Sequence, residues 1–126
     1  MKWRNIVRVA VLACAIAACS EPTSVARSER VRVALERWYL TIENRRDATI
    51  YFFAIDRGEA ALIDWLACTD PPHCRAVRVR STRIVPHDSI YGWKGKGEVL
   101  VYWWELEPTG TGNFRPDSIR AFVVRR

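Results

Sequence analysis

Histidine and methionine are scarce in this chain: His73 and His87 are the only histidines, and Met1 is the only methionine. A copper site in a secreted β-domain needs two histidines, a thiolate and usually an axial methionine. Met1 stands in the N-terminal leader, so that chemistry is excluded. The apolar run Val9 to Ala18 has only ten residues, too few to cross a bilayer as a helix. Cys68 and Cys74 lack the C-x-x-C spacing of thioredoxin-like and zinc sites. Gly92-Trp93-Lys94-Gly95-Lys96-Gly97 lacks the G-x-x-x-x-G-K-[ST] spacing of a phosphate-binding loop and precedes no helix. What remains is a small secreted domain that must be read from its leader and its strand pattern.

The leader is the most informative segment. Lys2, Arg4 and Arg8 precede the ten-residue apolar run, and Ile16-Ala17-Ala18 stand directly before Cys19. This pattern resembles the bacterial lipoprotein signal. The resemblance implies that residues 1–18 are removed and that Cys19 is acylated and becomes the first residue. Cys14 is a poorer alternative, because Leu12 is bulky and the apolar run before it is very short. Ser20 follows Cys19 where an aspartate would signal inner-membrane retention. The implied location is the bacterial cell envelope, at the outer membrane and facing the periplasm.

Charge must be counted on the processed chain. The precursor has 20 basic and 14 acidic residues, but three of the basic ones lie in the leader. The remaining 17 against 14 give a net charge near +3, which argues against nucleic acid as a partner. The 108 residues from Cys19 onward suffice for one domain with a core. With Cys19 acylated, Cys68 and Cys74 remain as a pair in an oxidising compartment, and a disulfide is expected.

Residues 19–28 read as a polar tether and 29–126 as the domain. Val31, Val33 and Leu35 alternate with polar or small residues, as do Leu40 and Ile42, and the parity flips at Glu36-Arg37. A tight turn or bulge there is predicted in preference to a helix. Thr49–Ile55 reads as a strand buried on both faces, Ala60–Leu66 as a short strand, and Val77 towards Val85 as another. Glu98–Glu107 is the strongest strand signal, 108–116 a connection, and Ser118–Arg125 the closing strand. About seven strands without a long helix predict an all-β fold, an antiparallel immunoglobulin-like β-sandwich, with a small β-barrel as the alternative. The layout from Trp38 to Ile55 resembles envelope immunoglobulin-like modules and, loosely, the proteinase-inhibitor sandwiches of bacilli.

Catalysis requires a nucleophile with a base, paired carboxylates or metal ligands. His73, His87, Asp64 and Asp70 would make a zinc-type set only if their loops converged. Tyr91, Trp93, Lys94 and Lys96 form a candidate tip for a glycan or protein partner. Trp103 and Trp104 are neighbours on one strand and face opposite ways, so one of them needs a cover from a loop, the 108–116 segment first, or from a partner. Arg75, Arg78, Arg80 and Arg83 read as a solvated edge strand or as a basic stripe.

The expected function is a non-enzymatic, lipid-anchored binding or scaffolding module without a cofactor. A protease inhibitor using the Cys68–Cys74 loop and a small metal-dependent envelope protein are the alternatives. Intact-mass measurement of membrane-extracted protein is expected to give Cys19–Arg126 plus acyl groups. Thiol alkylation should occur only after reduction.

Overall fold

The computed structural model describes residues 24–126, so the leader, Cys19 and the first part of the expected tether lie outside the described residues. The strands are β1 (Val25–Ser28), β2 (Val31–Leu35), β3 (Tyr39–Asn44), β4 (Ile50–Asp56), β5 (Ala76–Val77) and β6 (Ser81–Pro86). They continue with β7 (Glu98–Trp104), β8 (Leu106–Pro108), β9 (Phe114–Pro116) and β10 (Arg120–Arg125). One short helix, α1 (Arg57–Ala60), follows β4.

Two antiparallel four-stranded sheets, β1-β2-β3-β6 and β10-β7-β4-β5, form a sandwich, and β8 with β9 makes a separate hairpin. Neither sheet closes into a barrel among the described residues. With β1 set aside, the strand order is immunoglobulin-like. β3 lies beside β6 in one sheet, and β4, β7 and β10 are successive neighbours in the other. The core follows the period of two read in the sequence. Val31, Val33, Leu35, Leu40 and Ile42 face Phe52, Ala54, Val99, Val101 and Trp103. At the parity flip the chain turns tightly: Leu35 pairs with Leu40, and Glu36 N–H donates to the Tyr39 carbonyl at 2.8 Å.

Four expected boundaries are corrected. Val25–Ser28, expected in the tether, belong to the sheet, paired with Val31–Ala34. The strand expected from Val77 to Val85 is two strands in different sheets, because Arg80 adopts φ +52° and the chain crosses over there. Glu98–Glu107 is broken at Glu105, whose N–H donates to Asp117 Oδ1 at 2.9 Å while its carbonyl accepts from Asp117 N–H. The 108–116 connection is the β8–β9 hairpin, closed between Thr109 and Asn113.

The end of the sandwich beside Asn44 is held by polar groups. Trp103 is fully buried, and the guanidiniums of Arg46 and Arg120 lie 5.3 and 4.4 Å from its ring centroid. Arg46 pairs with Glu105 at 2.8 Å, and Arg120 with Glu29 and Asp117 at 3.1 Å. Burial disfavours ionisation of Asp117, yet the N–H groups of Ser118 and Glu105 and the charge of Arg120 outweigh it. Its carboxyl is thereby held below the usual range.

Asn44 is the one buried polar side chain among the described residues. Its amide nitrogen donates to the carbonyls of Ala48, Val77 and Arg78 at 2.9, 3.1 and 3.1 Å, and its oxygen accepts from Arg46 N–H at 2.9 Å. Asn44→Ala would strand one buried and three part-buried backbone groups. Urea unfolding is expected to show a loss of about 2–4 kcal/mol, well above the effect of a surface substitution.

Candidate functional site

The outer face of the β10-β7-β4-β5 sheet is unusually apolar. Tyr51 pairs with Trp104, Phe53 with Tyr102, and Ile55 with Leu100, and all six side chains point away from the core. Such a face needs a cover, and residues 61–75 supply it as a strap. The strap starts at α1, whose first turn is capped by Asp56 accepting from Glu59 N–H at 3.1 Å. Gly92, at φ +70°, lets the following loop pass so close to α1 that a Cβ would lie 2.3 Å from Glu59 Cγ.

Trp65 is the plug of the strap. Its ring lies 4.9 Å from Phe53, 4.7 Å from Tyr102 and 5.8 Å from Trp104, centroid to centroid. The Trp104 indole N–H donates to the Cys68 carbonyl at 3.1 Å. The Cys68–Cys74 disulfide, with Cα atoms 5.6 Å apart, then closes the strap around a 3-10 turn at Pro71–His73. The strand expected over Ala60–Leu66 is therefore corrected. The segment alternates as a strand does, with Ile63 and Trp65 turned towards the sheet and Leu62, Asp64 and Leu66 exposed. It lies across the sheet and pairs with no strand among those described.

The two tryptophans offered as partner contacts are both interior: Trp103 is 0% and Trp104 1% exposed. Trp104 is covered by the strap, not by the 108–116 segment, which folds on itself. The expected tip also divides. Trp93 packs against the core with its ring edge-on to His87 at 6.1 Å, whereas Tyr91 lies 6.4 Å from Phe53 and is half exposed. Lys94 and Lys96 are exposed there.

The histidines belong to separate local structures. His73 Nδ1 lies 2.6 Å from Asp70 Oδ2 inside the disulfide loop. His87 Nε2–H donates to the Glu36 carbonyl at 2.9 Å, tying its loop to the β2–β3 turn. No three histidine, cysteine, aspartate or glutamate side chains converge as ligands among the described residues, so of His73, His87, Asp64 and Asp70 only His73 and Asp70 are shown in contact. The disulfide loop is wound into a 3-10 turn at Pro71–His73, flanked by extended backbone at Asp70 and Cys74.

The arginine run is split by the crossover. Arg83 faces inward over the Phe52 ring at 5.3 Å and donates to the Ala76 carbonyl, bridging the two edge strands β6 and β5. Arg75 donates to the Ser89 carbonyl, and Arg80 pairs with Asp47.

Sequence reasoning missed the strap leucines. Leu62 is 78% and Leu66 95% exposed. Residues 63–67 make no backbone hydrogen bond within the described chain. The signal was present: leucines four apart, the second two residues before a cysteine, in a segment with strand alternation but no turn to bring a partner strand.

This geometry defines a β-sandwich carrying a disulfide-clasped strap over an aromatic face. No protein-family model matches the chain, and neither a curated protein nor a solved structure matches it.

Trp65→Ala is expected to release the strap. Acrylamide quenching should then reach Trp104, and stability should fall by about 1–3 kcal/mol in urea unfolding. Hydrogen exchange should quicken in 61–75 while β4 and β7 stay protected.

Proposed function

We propose that this is a lipid-anchored cell-envelope protein that works as a non-enzymatic binding module, and that the strap is where its partner binds. The observation that carries the reading is the state of residues 63–67 and the two leucines at their edges. Residues 63–67 make no backbone hydrogen bond among the described residues and alternate as a strand does, and Leu62 and Leu66 are exposed. Unpaired extended backbone recruits another extended segment, and outward apolar side chains select what that segment carries. The partner is therefore an apolar, extended stretch of another envelope protein, added alongside the strap. The lipobox Ile16-Ala17-Ala18-Cys19 supports the anchor, and Ser20 in place of an aspartate supports the outer-membrane location.

The disulfide fits this role. Cys68 closes the loop just after Leu66 and holds Trp65 over the aromatic face, so the strap is ordered before a partner arrives. Pre-ordering lowers the entropy cost of association.

A photo-crosslinking residue placed at Leu66 tests the reading in intact membranes. A discrete adduct with one envelope protein is expected, weakened by Leu62→Asp and absent when the probe sits at Thr111. Adducts no more specific at Leu66 than at Thr111 would sink the proposal.

A further inference from the structure

The outer face of the other sheet is built differently, and we infer that it is a membrane-docking face that rests on the anionic headgroups of the bilayer holding the chain's own anchor. The inference rests on the anchor proposed above. Strand register places two zones on this face. Nearest the start of β1, the cross-strand row Val25, Ala34, Thr41 and Ile84 adjoins Tyr39 and Pro86, with Trp38 in the turn beyond. Trp38 is 69% and Ile84 63% exposed, and the Arg37 guanidinium lies 4.9 Å from the Trp38 ring centroid.

The next row along the same face is Arg27, Arg32, Glu43 and Thr82. Beyond it Arg30, Arg45 and Arg80 complete an open concavity of about 860 Å³. Five arginines line it against two carboxylates, Glu29 and Glu43. Glu43 pairs with both Arg32 and Arg45, and Glu29 is drawn to Arg120. Arg80 is held by Asp47, while Arg27 and Arg30 make no ion pair among the described residues. The guanidinium fork suits phosphate oxygens, and tryptophan and tyrosine settle at the headgroup level of a bilayer.

Chain length makes the bilayer the occupant. Only Ser20 to Ser24 separate Cys19 from β1, a reach of about 20 Å when fully extended. That is shorter than the sandwich's own strands plus one flanking turn at about 3.3 Å per residue. A domain on so short a leash lies against the surface, and β1 is the edge strand of this sheet. Of the surfaces within reach, this one carries arginines and an exposed tryptophan together.

Reconstitution of the purified chain into vesicles, after intact mass has recorded its acyl content, provides the test. Trp38 is followed as the difference between the parent and Trp38→Phe, using brominated lipids as quenchers from within the bilayer. With phosphatidylglycerol in the vesicles, the Trp38 signal is expected to be quenched. The quenching should be largely lost at high salt and in Arg27→Gln/Arg30→Gln/Arg32→Gln, and should survive millimolar inorganic phosphate at fixed ionic strength. An acylated chain whose Trp38 is reached by aqueous iodide but not by brominated lipid overturns the docking face. Displacement by phosphate overturns it too, reassigning the arginines to a soluble anion. An unacylated chain that still sediments with anionic vesicles through these arginines keeps the docking face and removes the anchor. One that does not sediment removes both.

Discussion

The fold turns on Asn44. A sandwich must pass its chain from one sheet to the other, and each passage carries peptide groups past the rim of the core, where neither ladder nor water reaches them easily. Here two passages leave the same end: β3 to β4, and β5 to β6. A single amide serves both, donating to Ala48 in the first and to Val77 and Arg78 in the second. Two amide hydrogens facing three carbonyls must be shared, so the side chain is saturated as a donor. An apolar residue of similar size would fill the space and leave those carbonyls unmet.

The arginine and carboxylate lid over Trp103 is built outward from that point. Asn44 accepts from the N–H of Arg46, whose guanidinium reaches the Trp103 ring, Glu105 and the Glu29 carbonyl. Glu29 and Arg30 form the two-residue β1–β2 turn, both at positive φ, a conformation that usually selects asparagine or glycine. Each such residue costs on the order of 1–2 kcal/mol. The cost is offset locally: Arg46 and Arg120 bond to Glu29, and Arg45 N–H donates to the Arg30 carbonyl at 2.9 Å. The non-glycine turn is thus explained by contacts made from the β3–β4 connection and from β10.

Those contacts also mark what the sequence leaves unreadable. The alternation through Val31–Leu35, Leu40–Ile42 and Val99–Trp103 reports the two inner faces directly, because period-two burial is a local property. The crossover at Arg78–Arg80 is not local. Valines and arginines alternate straight through it, no glycine or proline marks it, and Asn44 grips it from 33 residues away. Trp104 illustrates the same limit. Strand geometry demands that one of two adjacent tryptophans be covered from outside, but nothing in the spacing says that Trp65 and the Cys68 carbonyl, not residues 108–116, do so. The histidine and aspartate set failed for the same reason: convergence of loops is tertiary, and these loops are pinned elsewhere by Asp70 and the Glu36 carbonyl.

The two outer faces divide the labour that the proposed function requires. A sheet exposed on one side normally turns polar residues to water, and the β1-β2-β3-β6 sheet does so over half its length with paired arginines and glutamates. The other sheet turns Tyr51, Phe53, Tyr102 and Trp104 outward and is kept soluble by a strap. The strap transfers rather than removes the problem, because its own alternation returns Leu62 and Leu66 to solvent. β1 is the edge strand of the sheet opposite the strap, so under the proposed anchor a domain lying with its arginine face on the bilayer would present those leucines away from it. The proposed anchor and the proposed partner surface would then not compete, and a short leash would orient the module besides holding it.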